Sequence, residues 1–383
     1  MAQAMSLPRV RLAAFYFCYF AALGAFLPYW PLYLQGQGYG PEQIGWLMAI
    51  LPSTKLVSPS LWGWLADRLG KPLPLIRWGS FLALICFLPL LSSAPDVVAV
   101  AAVLLVFGFC WNATLPLFES LTLFHLQDRP ERYGQIRLWG SIGFILSVWL
   151  LGKLLEGVLV INQLPLIMTG VLVGQWLSSL ATPPAPVRVH ESSPVALGCI
   201  LRRGEVLAFF AAVMLLQVSH GPYYSFYSVY LDAHHYSDVA IGALWALGVV
   251  AEVVLFRYMS WFLDRYRLRT LFMLSLGLSA IRWLMIGWGG EYPGLLLLAQ
   301  LLHAASFGMA HSVAIHFVHR HFKGTLHSQG QALYAGLSFG LGGAMGSLYS
   351  GEYWSSWGPQ WVFTAAAVAS LLALGLVGWK LRR

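Results

Sequence analysis

The chain has 383 residues, of which 10% are charged and 58% hydrophobic, with 17 Trp, 17 Tyr and 22 Phe. Its mean hydropathy is +0.67. A soluble domain carries about 25% charged residues, so this composition argues against a soluble enzyme, a disordered chain and a nucleic-acid binder. Cys18, Cys86, Cys110 and Cys199 form no C-x-x-C pair, which gives no disulfide framework, redox motif or zinc site.

A membrane-crossing helix needs about 20 mainly apolar residues, and such runs recur along the whole chain. In order they cover 10–34, 42–66, 73–93, 97–123, 134–156, 160–181, 206–231, 239–263, 269–289, 293–318, 328–350 and 359–379, twelve in all. The runs are too long and too uniform for barrel strands, so an all-α membrane protein is expected. Residues 1–8 are too few and too poor in charge for the head of a signal peptide. The first run is also too long for its core, so it is expected to stay as the first span.

The charges give the orientation. With the amino terminus in the cytoplasm, eighteen of the 23 Lys and Arg fall at cytoplasmic ends and loops, among them Arg9, Arg68, Lys71, Arg129, Arg188, Arg265, Arg320, Arg382 and Arg383. The other side holds Lys153 but also Glu42, Asp96, Glu156, Asp232, Asp238, Glu291 and Glu352. This is the positive-inside pattern with both termini cytoplasmic. The net charge of +8 therefore reports topology and not a nucleic-acid patch.

Residues 183–204 form the least hydrophobic long stretch and read as a cytoplasmic linker between an amino-terminal six-helix bundle (1–182) and a carboxy-terminal one (205–383). The two parts repeat at an offset of 197: Tyr33-Leu34 with Tyr230-Leu231, Ile44-Gly45 with Ile241-Gly242, Trp64 with Trp261, and Asp67-Arg68 with Asp264-Arg265. At 196, Gly134-Gln135 matches Gly330-Gln331. Such repeats build transporters whose substrate site lies between two homologous bundles.

An ionisable side chain in mid-membrane costs roughly 2.5–3.5 kcal/mol, so it needs a partner, water access or a task. The candidates are Lys55, Glu119, Arg137, Glu252, Arg257, Arg282, His220, His303 and His311. Glu119 and Arg137 fall at similar depth on adjacent antiparallel spans and should pair. Trp139, just past Arg137, can offer a ring face to a substrate. Lys55 and Glu252 are repeat-equivalent and are expected to face a central cavity, Lys55 attracting an anion and Glu252 carrying protons. In the seventh span Gly221-Pro222 should break the helix, and His220, Tyr224 and Tyr227 share one face, which suits an aromatic ligand with a polar end. Tyr16, Tyr19 and Asn112 are weaker candidates of the same kind. His311, His316, His319 and His321 read as interfacial polar caps and not as a metal site. No H-E-x-x-H, G-x-S-x-G or P-loop occurs, so neither an enzyme nor ATP drive is expected, and no metal or cofactor is assigned.

The run GWLADRLGK, which includes Gly63, Asp67, Arg68, Gly70 and Lys71, resembles the motif after the second helix of the major facilitator superfamily. There Gly63 would allow close helix packing, and Asp67 with Arg68 would bond across the cytoplasmic gate. Its repeat copy, WFLDRYRLR, is degenerate. Within that superfamily the chain resembles, over essentially its whole length, the branch containing the lactose permease and the bacterial 3-phenylpropionate permeases. The residues behind this are GAFLPYW at Gly24, YGQIRLWGS at Tyr133, LGVVAEV at Leu247, IRW at Ile281 and QLLH at Gln300.

The resemblance implies that Glu119 and Arg137 hold the substrate and that Glu252, Arg282 and His303 form the coupling network. The chain departs from the lactose permease at Gln300 and Ser306, where that branch has a Lys and a second acid. Glu252, with His303, would then carry more of the titration. The expected function is proton-coupled import of a small organic solute by alternating access, an aromatic monocarboxylate such as 3-phenylpropionate first. A sugar or nucleoside permease comes second and a drug–proton antiporter third. The expected partners are that substrate, protons and the lipid of a bacterial inner membrane, with the monomer as the working unit.

Overall fold

The structure, a computed structural model, describes residues 7–92, 96–126, 132–185, 197–324 and 326–381. Arg129, Arg188, Arg382, Arg383 and half of the 183–204 stretch lie outside the described residues. Twelve helical spans follow one another: α1 (Arg9–Gly36), α2 (Pro41–Thr54 with Ser58–Leu69), α3 (Pro72–Leu91), α4 (Val97–Leu126), α5 (Tyr133–Gly157), α6 (Ile161–Ala181), α7 (Gly204–Ala233), α8 (Asp238–Arg265), α9 (Leu268–Trp288), α10 (Pro293–His321), α11 (Leu326–Trp357) and α12 (Pro359–Lys380). Among the described residues there is no strand. Ten spans are long and apolar enough to cross a membrane as they stand, while α2 and α11 are interrupted. Proline opens several helices, among them those at Pro41, Pro72 and Pro359, where its missing N–H costs nothing. Ser237 caps α8 by accepting from the Ala240 N–H at 3.3 Å.

The interruption in α2 has a local cause. Pro59 cannot donate a backbone bond, and its ring crowds the carbonyl of residue 55. The chain tightens instead into three successive i→i−3 bonds, from Lys55, Leu56 and Val57 to Pro52, Ser53 and Thr54. Asn112 of α4 meets the groups this turn leaves over. Its side-chain amide donates to the Leu51 carbonyl at 2.9 Å and to Thr54 Oγ1 at 2.8 Å. Asn112 thus holds the break together. α7 breaks at His220 as expected from Gly221-Pro222, and the His220 ring Nδ1 meets the Leu216 carbonyl at 2.8 Å. Two π turns, Ala304–Met309 in α10 and Ala335–Gly342 in α11, were not anticipated.

The spans make two six-helix bundles. They meet at the end away from the termini, and one buried core runs through the amino-terminal bundle into Tyr223, Tyr227, Trp245, Trp283 and Trp354. At the basic end the carboxy-terminal bundle has a separate core around Phe209, Phe272, Phe317 and Phe322. The bundles therefore part toward the basic end, and the cleft between them opens there. Repeat-equivalent glycines close the other end. A Cβ on Gly45 of α2 would come 2.6 Å from Gly351 Cα and 2.8 Å from the Ser347 carbonyl of α11. Gly242 of α8 lies as tightly against the Val148 carbonyl of α5 and the Tyr29 hydroxyl, which donates to Val148 O at 2.6 Å. Only the absence of a side chain permits backbones this close. Gly45→Trp should hold this end ajar. A Ser347→Cys reporter in a cysteine-free background should then label severalfold faster with a membrane-impermeant thiol reagent added outside, and an unchanged rate would remove the closure role.

Candidate functional site

Two ionic sites sit on opposite sides of the cleft. On the amino-terminal side Arg137 Nε lies 3.5 Å from Glu119 Oε1, and both side chains are about one-third exposed, at 30% and 34%. The expected pair is therefore formed, and it is open to solvent. Its guanidinium lies 4.0 Å from the Phe20 ring centroid and 5.6 Å from that of Tyr16. Gly140, nearly one turn along α5, leaves room for the guanidinium and for Phe20. Tyr16 donates to Thr122 Oγ1 at 3.2 Å, and Tyr19 stacks on Trp111, so both are packing groups behind the pair. Trp139 is half-exposed. Two positions on, it lies roughly 200° around α5 from Arg137, so the structure does not bring the two together.

On the carboxy-terminal side Glu252 of α8 faces His303 of α10, with Oε2 to Nε2 at 3.6 Å. Small residues allow the approach: a Cβ on Gly248 would touch the His303 ring, and one on Gly308 would press on Glu252 Cγ. The His303 ring stacks on Phe307 at 5.5 Å, and Phe307 on His311 at 6.0 Å. The Arg137 charge is felt at both Glu252 and His311, which places the two sites face to face. Lys55 sits at the α2 break, its Nζ 5.7 Å from the Phe339 ring. Among the described residues it forms no ion pair. Arg257 is exposed on α8.

The network expected of Glu252, Arg282 and His303 divides. Arg282 is fully buried and, among the described residues, joins no ion pair. Its Nε donates to the Ala299 carbonyl at 3.0 Å and its Nη1 to Ser306 Oγ at 3.1 Å, with the Tyr223 and Trp283 rings at 4.2 and 4.5 Å. The departure at Ser306 is the physical reason, because a neutral hydroxyl occupies the place where the resemblance has an acid.

The aromatic face of α7 is buried. Tyr227 accepts from Gln300 Nε2 at 2.7 Å, Tyr223 donates to Gln300 Oε1 at 3.0 Å, and Tyr224 stacks on His220 at 5.7 Å. Tyr223 and Ser306 were missed as site residues. Tyr223 lies one turn before Tyr227 in the sequence, and Ser306 was visible only as a departure from the family pattern. A narrow recess between α7, α10 and α11 is lined by Gln217, His220, Ser306, Phe307, Ser338 and Phe339, among others.

The gate motif is disengaged. A Cβ on Gly63 would meet nothing within 4 Å, so the close packing expected there is not made. Asp67, Arg68 and Lys71 are exposed, and among the described residues Asp67 and Arg68 form no ion pair, because the basic end stands open. Arg68 rests 5.4 Å from Trp64, and its repeat mate Arg265 rests 5.7 Å from Trp261. Gly70 takes φ +62° to end the helix. His311 Nδ1 bonds the Tyr334 hydroxyl at 3.0 Å, and His321 Nε2 meets Glu205 Oε1 at 3.2 Å. Among the described residues no three His, Cys, Asp or Glu are grouped to hold a metal.

Comparison with known proteins agrees with this architecture. The profile of the MFS_1 like family matches residues 9–365. A probable 3-phenylpropionic acid transporter of Escherichia coli (strain K12) is 30% identical over 370 residues, covering 95% of this chain and 96% of that protein. The maltose permease of Geobacillus stearothermophilus is 26% identical, covering 96% of this chain and 94% of that one. A crystal structure of the nucleoside transporter NupG superposes with a TM-score of 0.85 at 18% identity, over 99% of this chain and 100% of that chain. The chain therefore belongs to the MFS_1 like family and is a multi-pass transporter of the major facilitator type.

Proposed function

We propose that the chain imports a small aromatic monocarboxylate, for which 3-phenylpropionate is the first probe, together with protons by alternating access. The basic end is the cytoplasmic face of a bacterial inner membrane, both termini lie there, and the monomer is the working unit. The observation that carries the reading is the charge inventory of the membrane interior. Lys55, Arg137, Arg257 and Arg282 stand against Glu119 and Glu252, and both acids are paired, to Arg137 and His303. An interior with surplus cations favours an anion. The 30% identical relative, named as a probable 3-phenylpropionic acid transporter, supports the same class.

In this reading the cleft is open to the cytoplasm. Arg137 and Lys55 draw the acid in from the bulk, and Glu119 orients Arg137. His220, Tyr224 and Tyr227 back the aromatic end, and Trp139 remains a candidate contact for a state in which α5 turns. Glu252 carries the proton. As a neutral acid it crosses a dry interior at far lower cost than as a carboxylate, and His303 at 3.6 Å is placed to exchange the proton with it. Asp67, Arg68 and Lys71, with Gly63 and Gly70 around them, re-engage when the basic end closes.

A second reading, a sugar or nucleoside permease, is favoured by one observation. Glu119 keeps about one-third of its side chain exposed, and a carboxylate accepts bonds from hydroxyls. The maltose permease and the nucleoside transporter fit this reading too.

Cells expressing the chain should accumulate labelled 3-phenylpropionate, and a protonophore should abolish the accumulation. Accumulation of maltose or a nucleoside in its place would select the second reading. Arg137→Ala should weaken acid binding by about tenfold to a hundredfold, the worth of a charge-assisted bond, read by calorimetry on purified protein. Glu252→Gln should lose uphill accumulation and keep exchange of internal for external substrate, and intact uphill uptake in that variant would take the proton from this residue.

A further inference from the structure

We infer that Arg282 is the anchor for the carboxylate of the transported acid, at the edge formed by its Nη1 and Nη2 atoms, and is not a partner of Glu252. This assignment rests on the aromatic-acid reading above and names the group that holds the acid's charge.

A fully buried guanidinium without a counter-charge is costly, and Arg282 is in that position. The ion pairs among the described residues join Arg137 to Glu119, His303 to Glu252 and His321 to Glu205. None includes Arg282. Its Nε is taken by the Ala299 carbonyl and its Nη1 by the Ser306 hydroxyl, while its Nη2 has no partner. Rings flank the guanidinium, with the Tyr223 and Trp283 centroids at 4.2 and 4.5 Å, and the Tyr223 hydroxyl is committed to Gln300. The remaining direction lies in the guanidinium plane, along the Nη1–Nη2 edge. A carboxylate docks there with two parallel bonds. The occupant of Nη1 is a neutral hydroxyl, and exchanging it for a carboxylate oxygen replaces a neutral bond by one roughly twice as strong.

Ser306 also connects this edge to open space. It lines the recess between α7, α10 and α11, where Phe307 and Phe339 supply aromatic walls. His220, fully buried with an unpartnered Nε2, lines the same recess. The recess is narrow in this conformation, but irregular backbone borders it on three sides. The α7 break lies at His220, and the π turns Ala304–Met309 and Ala335–Gly342 lie in α10 and α11. Such turns are common where helices adjust around a ligand. An acid seated here would have its charge on Arg282 and its ring between the two phenylalanines.

The test is binding to the purified full-length protein in nanodiscs, using 3-phenylpropionate and its neutral amide, 3-phenylpropanamide, as probes. The wild type should prefer the acid by at least about tenfold. Arg282→Gln should bring that preference close to one while amide affinity holds. Ser306→Asp keeps the arginine but fills the edge with the protein's own carboxylate, and it should lose the acid preference as well. Since a buried Arg→Gln change can unfold the chain, Ser306→Asp decides alone if Arg282→Gln does not run as a folded monodisperse species. An acid preference that persists in either folded variant overturns the assignment. A wild type that binds neither probe, or prefers the amide, refutes the aromatic-acid reading itself and the assignment with it.

Discussion

In hydrocarbon no water is available to satisfy a polar group, and the whole structure is arranged around that shortage. Each unbonded backbone group in such a medium costs several kcal/mol, so every interruption of a span comes with its own acceptor or donor. Asn112 reaches from α4 to the carbonyl and hydroxyl beside the α2 break. His220 folds its ring back onto the Leu216 carbonyl at the α7 break. Where charges occur in the interior, the same rule decides their company. Glu119 is set on Arg137 and Glu252 on His303, while Lys55 and Arg282 lean on aromatic faces.

The internal repeat has been used unevenly. Gly45 and Gly242 still do the same work, each bringing its helix against the other bundle, and Trp64-Arg68 and Trp261-Arg265 still stack in the same way. Lys55 and Glu252, at equivalent positions, have opposite charge and different neighbours. The scaffold is therefore nearly two-fold while its chemistry is not. One bundle offers cations to the cleft and the other a carboxylate–imidazole pair.

The twelve spans were readable because each needs only a run of apolar side chains, which composition along the chain reports directly. The Glu119–Arg137 pair was readable because depth follows from residue count when two helices are joined by a short connection. Arg282 was not readable in the same way. Its partners depend on which way it points around α9, and on Ser306 standing across from it, which one sequence does not fix. The family pattern suggested Glu252, and the hydroxyl at 306 redirected the guanidinium. Trp139 failed to meet Arg137 for a related reason, since two residues along a helix put side chains on nearly opposite faces. The turn at Lys55 was hidden inside an unbroken apolar run. Only the clash between Pro59 and the carbonyl of residue 55 explains it, and that clash appears once the run is built as a helix. The π turns left no mark in composition or periodicity.

The glycine contacts at the closed end bear on kinetics as well as geometry. An interface of interlocked large side chains must lose many dispersion contacts at once before it can part. Where Gly45 meets Gly351 the surfaces are bare backbone, close together but smooth, with no knob seated in a hole. Such a joint resists lateral slip very little and gives up few contacts when it separates. The seal is tight to solutes and yet shallow in energy, which suits a gate that must open and reseal in every cycle.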